Sequence, residues 1–205
     1  MHQEVLIDKA KGLFDKLKFF PGFYLVGGTA LALQIGHRIS VDFDLFNDKE
    51  IKKSLLPKIE KIFQGHQIEI LANNSEQLTV LIDKVKLTFF NYPFPVILKF
   101  QILDDVKILL ISEIAVLKAY ALGRRATFKD YVDLYFILKE GHTTLNEIEE
   151  LADKKYQDKF NFRLFLEQLI YLEDVEDVEI QFIKNKVTKE EVQDFFQKLI
   201  KKIKI

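Results

Sequence analysis

The chain of 205 residues contains no cysteine. That absence removes disulfides, thiolate metal ligands and cysteine nucleophiles together. Only four histidines are present, so a structural zinc site is not expected either. Glycine and proline are scarce, at eight and four residues, and each therefore marks a place where the chain turns. No apolar run approaches the ~20 residues needed to cross a bilayer. The first ten residues carry Glu4, Asp8 and Lys9 where a signal peptide would be apolar. A cytoplasmic protein with no membrane partner is expected. An excess of one charge is missing as well: 30 basic residues face 31 acidic ones. This balance argues against a surface given over to nucleic acid, while leaving room for a local basic cleft. What remains is a composition 48% hydrophobic and 30% charged, that of a folded globular protein.

The apolar periodicity changes twice along the chain. An amphipathic helix is predicted from about Glu4 to Phe19, stopped by Pro21-Gly22, then a buried strand at Phe23–Val26 running into Gly27-Gly28. Thr29–Ile35 fits a short helix closed by Gly36. Val41–Phe46 alternates apolar and acidic residues, as a strand with one charged face does, and Asp48–Phe63 reads as helix. Short β-branched or aromatic segments follow at His66–Leu71, Leu78–Ile82, Val85–Phe90, Val96–Leu103 and Val106–Leu109. After Ser112 the helical period returns over Ser112–Leu122, Phe128–Leu138, Leu145–Tyr156, Phe162–Leu172 and Thr188–Ile203, with a loop at the acidic stretch Asp174–Asp177 and a strand at Val178–Ile183. The fold class is α+β: residues 1–111 form a mixed sheet with flanking helices, and residues 112–205 form a helical half packed against it.

The chemistry concentrates in Phe23–Phe46. Asp42 and Asp44 are two apart on a strand, so both side chains leave one face about 7 Å apart along the chain. Paired carboxylates repel unless a cation lies between them, and Mg²⁺ held by one or two carboxylates plus substrate phosphates is the usual solution. Gly27-Gly28-Thr29 lies where a strand gives way to a helix, where glycine admits a phosphate to the backbone and unpaired N–H groups can receive it. Either feature alone is commonly just a turn or a solvated sheet face. Together, on strands joined by one short helix, they are the equipment of phosphoryl or nucleotidyl transfer.

The same residues resemble the polymerase-beta-type nucleotidyltransferase superfamily. More narrowly, Gly27-Gly28-Thr29-Ala30-Leu31 followed by Arg38-Ile39-Ser40-Val41-Asp42-Phe43-Asp44 resembles the AbiEii/AbiGii toxin-like nucleotidyltransferases. Their later Lys…Arg…Asp-x-x-Asp element has a counterpart in Lys118, Arg124-Arg125, Asp130 and Asp133. The resemblance implies a Mg²⁺-dependent enzyme, with two metal ions, that moves a nucleotide from an NTP to an acceptor hydroxyl. It implies metal binding by Asp42 and Asp44, and nucleotide binding by Gly27, Gly28, Thr29, Arg38, Ser40 and Arg125. Lys118 would stabilise the triphosphate and Asp133 would position or activate the acceptor. RNA, tRNA in particular, is the implied acceptor, and a cognate antitoxin protein the implied partner. The superfamily's third strand carboxylate is missing: Thr88 stands in its place, with Asp133 the candidate substitute and Asp83 and Asp104 weaker ones.

Spacing alone leaves other readings open. Lys118 and Arg125 share a helix face, and Asp130 and Asp133 share the next, which suits a cleft or an interhelical salt-bridge network equally. His37 could reach a phosphate or pack as a turn residue. The lysines of Lys198–Lys204 complement a helix end or contribute to RNA binding. Two alternatives to the toxin-like enzyme stand: a small-molecule nucleotidyltransferase of the antibiotic-modifying kind, which suits the near-neutral charge, and an inactive nucleotide-binding module, which suits the missing carboxylate.

Overall fold

The computed structural model describes residues 1–122, 124 and 127–203. It forms two compact units, Met1–Pro95 with Lys99–Leu110, and Val96–Leu98 with Ile111–Ile205.

The first unit is built on a mixed seven-stranded sheet: β1 (Tyr24–Val26), β2 (Phe43–Asn47), β3 (Ile68–Asn73), β4 (Gln77–Ile82), β5 (Val85–Asn91), β6 (Gln101–Leu103) and β7 (Val106–Ile108), in the order β3-β4-β5-β2-β1-β7-β6. The pairs β2–β5 and β1–β7 are parallel and the other pairs antiparallel. Three helices accompany the sheet, α1 (Asp8–Phe14), α2 (Gly27–Ile35) and α3 (Leu55–Ile62). Along β2, Phe43 and Leu45 are buried while Asp44 and Phe46 are partly exposed, the alternation of a strand with one face on the core. Gly36 closes α2 in the left-handed region, at φ 65°, where a side chain would be strained.

Two hairpins turn on acidic residues. Asp83 (φ 48°) and Lys84 (φ 73°) join β4 to β5, and Asp104 (φ 48°) and Asp105 (φ 65°) join β6 to β7. Both central residues are left-handed, the conformation of a two-residue turn that matches strand twist. This placement explains Asp83 and Asp104 as turn residues. Asp83 accepts from the His66 ring at 2.7 Å and from the Gln67 N–H at 3.0 Å, which hold its carboxyl below the usual range. Asp104 takes the Gln3 side-chain amide.

Several elements are shorter than their periodicity suggests. The first helix covers only Asp8–Phe14, with single 3₁₀ turns on either side. Residues 48–54 are not helical; the Ile51 N–H bonds instead to the Ser75 carbonyl in the β3–β4 turn. Within Val96–Leu103 only the last three residues form strand, and Val178–Ile183 forms none.

The second unit consists of α4 (Ile111–Leu122), α5 (Phe128–Lys139), α6 (Leu145–Tyr156), α7 (Phe162–Leu169) and α8 (Lys189–Ile200). Thr144 and Thr188 open α6 and α8 with capping boxes closed by Glu147 and Glu191, each satisfying two end donors. One buried carboxylate organises the packing. Glu113, 1% exposed, accepts from the Ile97 and Leu98 N–H groups at 2.7 and 2.6 Å and pairs with Lys155 of α6 at 2.8 Å. A charge out of water is tolerable only when so fully matched. It draws residues 96–98 onto the helices and denies them to the sheet.

Tyr131 of α5 donates its hydroxyl to the Gln168 and Tyr171 carbonyls. Burial, with a smaller push from the Asp130 charge, raises its pKa to about 12. Folded and unfolded chains both keep this proton below pH 10; between pH 10 and about 12 only the unfolded chain releases it, so stability falls as pH rises through that window. Two units correspond to about 2–3 kcal/mol. Urea unfolding across pH 9–12 is expected to show that loss in the wild type relative to Tyr131→Phe.

Candidate active site

In the sheet unit, one constraint places every chemical group: β1 passes directly into α2 at Gly27-Gly28. Val26 pairs with Asp44 across the antiparallel β1–β2 ladder. Gly27 has φ 73°, and a Cβ there would sit 2.9 Å from Asp44 Oδ2. Both the conformation and the space demand glycine. At Gly28 a Cβ would collide with the Arg38 guanidinium and come within 3.5 Å of the Ser40 hydroxyl. The expected nucleotide-binding residues Gly27, Gly28, Arg38 and Ser40 are thus brought together with the expected metal ligand Asp44. The N-cap residue of α2, Val26, makes no side-chain cap hydrogen bond, and the first N–H groups of a helix are natural anion donors.

Thr29 is placed differently from a phosphate ligand. It is 1% exposed, its hydroxyl lies 2.8 Å from that of Ser40, and it donates to the Asp42 carbonyl. It latches the first turn of α2 to the strand carrying the carboxylates. Arg38 is 5% exposed and donates from Nη1 to the Ile39 carbonyl at 3.1 Å, so its charge is fixed beside Gly28. His37 is fully buried and is not a surface turn residue.

Asp42 precedes β2 and has company that its spacing did not reveal. The Lys86 N–H reaches Asp42 Oδ1 at 3.3 Å and the Lys86 ammonium lies 3.2 Å from Oδ2. The parallel register of β2 and β5 sets Thr88 opposite Asp44, where the superfamily's third carboxylate was looked for. Thr88 and Thr79 of β4 approach to 3.4 Å through their hydroxyls. Among the described residues no three His, Cys, Asp or Glu side chains converge on a point that could hold a metal. Two acidic ligands still fit Mg²⁺, which commonly takes the rest of its shell from phosphates and water. The alternation in Val85–Asn91 puts Lys86 on the face of Thr88, and that was the available signal for Lys86.

The helical unit holds the second cluster. Lys118 of α4 lies 2.8 Å from Asp130 and 2.6 Å from Asp133 of α5. Asp133 is wholly buried and the Lys118 side chain is 8% exposed. Thr127 donates to the other oxygen of Asp130 at 2.8 Å. The interhelical network expected as one alternative is therefore formed. Arg125 lies outside the described residues.

The Gly27 contact carries its own test. Gly27→Ala would place a methyl-bearing residue in the left-handed region at about 1–2 kcal/mol and push the Asp44 carboxylate aside. Urea unfolding is expected to show that modest loss, while nucleotide transfer falls as far as in Asp44→Asn. Full activity in the alanine variant would break the link between turn and carboxylate.

Comparison with known proteins bears on the family and the fold. Residues 11–204 match the family model described as nucleotidyl transferase AbiEii toxin, type IV toxin–antitoxin system. The uncharacterised protein aq_aa25 of Aquifex aeolicus (strain VF5) is 33% identical over 186 residues, covering 87% of this chain and 86% of that protein. A crystal structure of an H. pylori protein assigned as a nucleotidyltransferase superposes with TM-score 0.65 at 22% identity, covering 96% of each chain. That of JHP933 from Helicobacter pylori gives 0.53 at 17% identity, over 96% of this chain and 95% of that one. The structural likenesses speak for the fold, and the α+β nucleotidyltransferase architecture expected from the sequence is the one observed. With the family model spanning nearly the whole chain, the protein belongs to the AbiEii nucleotidyltransferase toxin family.

Proposed function

We propose that this toxin-like nucleotidyltransferase transfers a nucleotide from an NTP to an acceptor hydroxyl on RNA, with Mg²⁺ held by Asp42 and Asp44. The supporting observation is the packing of Asp44 under Gly27 at the start of α2, with Arg38 fixed beside Gly28. A triphosphate laid along that turn would meet backbone N–H groups and a guanidinium, while its metal-binding oxygens face the carboxylates. The acceptor hydroxyl releases its proton to solvent as its oxygen bonds the α-phosphorus, the bond from that phosphorus to the α–β bridging oxygen breaks, and pyrophosphate leaves with the electron pair. Mg²⁺, when bound, neutralises charge developing on the phosphoryl oxygens. Arg38 holds the phosphates in place, and Ser40, steadied by Thr29, stands at the same turn.

The proposed roles of Lys118 on the triphosphate and Asp133 on the acceptor rest on the family resemblance. The local geometry gives them a structural contribution too, since a buried ion pair with one partner removed typically costs about 3–5 kcal/mol. Thr88 favours a second reading, a module that binds nucleotide without turnover. A cognate antitoxin and a cytoplasmic setting complete the proposal; among the described residues no helix is long and apolar enough to cross a membrane.

Incubation of the protein with labelled NTPs, Mg²⁺, total tRNA and a panel of small-molecule acceptors tests these readings together. Label is expected in RNA; label in a small molecule, or nucleotide binding with no transfer, selects the respective alternative. Asp44→Asn is expected to lower transfer at least about 100-fold with its thermal midpoint little changed. Asp42→Asn should behave alike, because its exposed pair with Lys86 is worth only about 0–1 kcal/mol.

Lys118→Ala separates two roles when the thermal midpoint and NTP affinity are measured on one preparation. A ligand of the triphosphate loses affinity in molecules that remain folded. A residue that serves only the Asp130/Asp133 network lowers the midpoint and leaves affinity unchanged.

A further inference from the structure

The carboxylate site contains a cation of its own. Lys86 uses both its groups on Asp42, the main-chain N–H on Oδ1 and the ammonium on Oδ2. It sits two residues before Thr88, which faces Asp44 across the β2–β5 ladder. A site with a third carboxylate at Thr88 would bind a second divalent ion through added negative charge. Here that position is a neutral hydroxyl, and the strand instead delivers a positive charge to Asp42. Asp42, Asp44 and Lys86 together carry a charge of −1 where three carboxylates would carry −3, and the Arg38 guanidinium beside Gly28 lowers the negative charge of the turn further. Nor is the ammonium locked in place: the Lys86 and Asp42 side chains are 41% and 43% exposed, so it can swing into water when a stronger cation arrives.

We propose that Lys86 is a resident counter-ion of this site, holding Asp42 in the metal-free protein, and that a divalent ion engages Asp42 fully only by displacing the Lys86 ammonium. Lys86 is thus a positioning residue: it keeps Asp42 aimed and sets the metal concentration at which the site fills. The displaced ammonium remains tethered beside the site, where it can meet a phosphate oxygen of the substrate. This inference rests on the metal-binding reading of Asp42 and Asp44, and the test keeps the two apart.

Mn²⁺ binding to the full chain without nucleotide, followed by isothermal titration calorimetry, reads the effect directly. An ammonium and a divalent ion sharing one carboxylate repel across a few ångströms even in water-like surroundings, and relieving this is expected to tighten binding about tenfold in Lys86→Met. Lys86→Arg retains the charge and should bind Mn²⁺ as the wild type does, while Asp44→Asn should lose binding. The sign discriminates: a lysine that only braced Asp42 would, once removed, loosen the carboxylate and weaken binding. Unchanged or weaker affinity in Lys86→Met, with binding still lost in Asp44→Asn, overturns the counter-ion role and leaves the metal site standing. Equal binding by Asp44→Asn and the wild type, or no binding by the wild type and Lys86→Met alike, overturns the metal site and the inference with it.

Discussion

The geometry of the sheet unit's site depends on one close approach, that of the Gly27 backbone to the Asp44 carboxylate. Because β1 and β2 are antiparallel neighbours with Val26 opposite Asp44, the residue after Val26 must turn away directly over that carboxylate. Only a residue without Cβ can do so with φ 73° and an oxygen 2.9 Å from where Cβ would be. The turn then launches α2 with Val26, which offers no side-chain cap, as its N-cap residue. The start of α2 and the Asp44 carboxylate, the two halves of the proposed site, are consequently positioned by a single backbone event.

Arg38, Ser40 and Thr29 follow from the same event. The segment between Gly36 and Phe43 returns from the end of α2 to the start of β2 and must pass Gly28. Arg38 fills the volume glycine leaves open there, and the Thr29 hydroxyl ties Ser40 and the Asp42 carbonyl to the first turn of the helix. The family resemblance implies a nucleotide-binding role for Thr29 as part of the Gly27-Gly28-Thr29 turn. Its burial gives the hydroxyl an internal task, holding the loop that carries the exposed ligands. Local sequence reveals which residue types gather at such a turn; which of them face water depends on how the loop returns.

That distinction runs through the fold as well. The Gly-Gly turn, the helix stop at Gly36 and the alternation in Phe43–Leu45 were legible because their causes are local: backbone freedom and side-chain period. The elements misread were decided by distant partners. Residues 48–54 hold one apolar residue, Ile51, and run into the helical period that begins at Leu55; Ile51 is instead claimed by the Ser75 carbonyl in the β3–β4 turn. Val96–Leu98 has strand composition, yet Glu113 offers its N–H groups a buried carboxylate. A glutamate on the apolar face of α4 and a lysine fully buried in α6 were the traces of this pair in the sequence, and only together do they make sense. Lys86 was overlooked for the same reason, since its partner Asp42 lies 44 residues away.

The two clusters of charge also differ in what their surroundings permit. Lys118 with Asp130 and Asp133 is held by two helices with almost no access to water, where unpairing leaves a charge uncompensated. Rearrangement there is costly, so whatever these residues contribute to chemistry must be compatible with their staying paired. Asp42 with Lys86 is half-exposed, where water can replace either partner at little cost. An exchangeable cation belongs at the second place and a fixed scaffold at the first. Replacement of a strand carboxylate by Thr88 therefore need not disable the sheet unit's site. In the proposed reading it lowers the negative charge offered to a metal ion, whose shell the triphosphate's own oxygens would complete. On that proposed reading a metal ion would bind the nucleotide-free site and be held more tightly once phosphate oxygens join its shell, with Lys86 setting the first of these affinities.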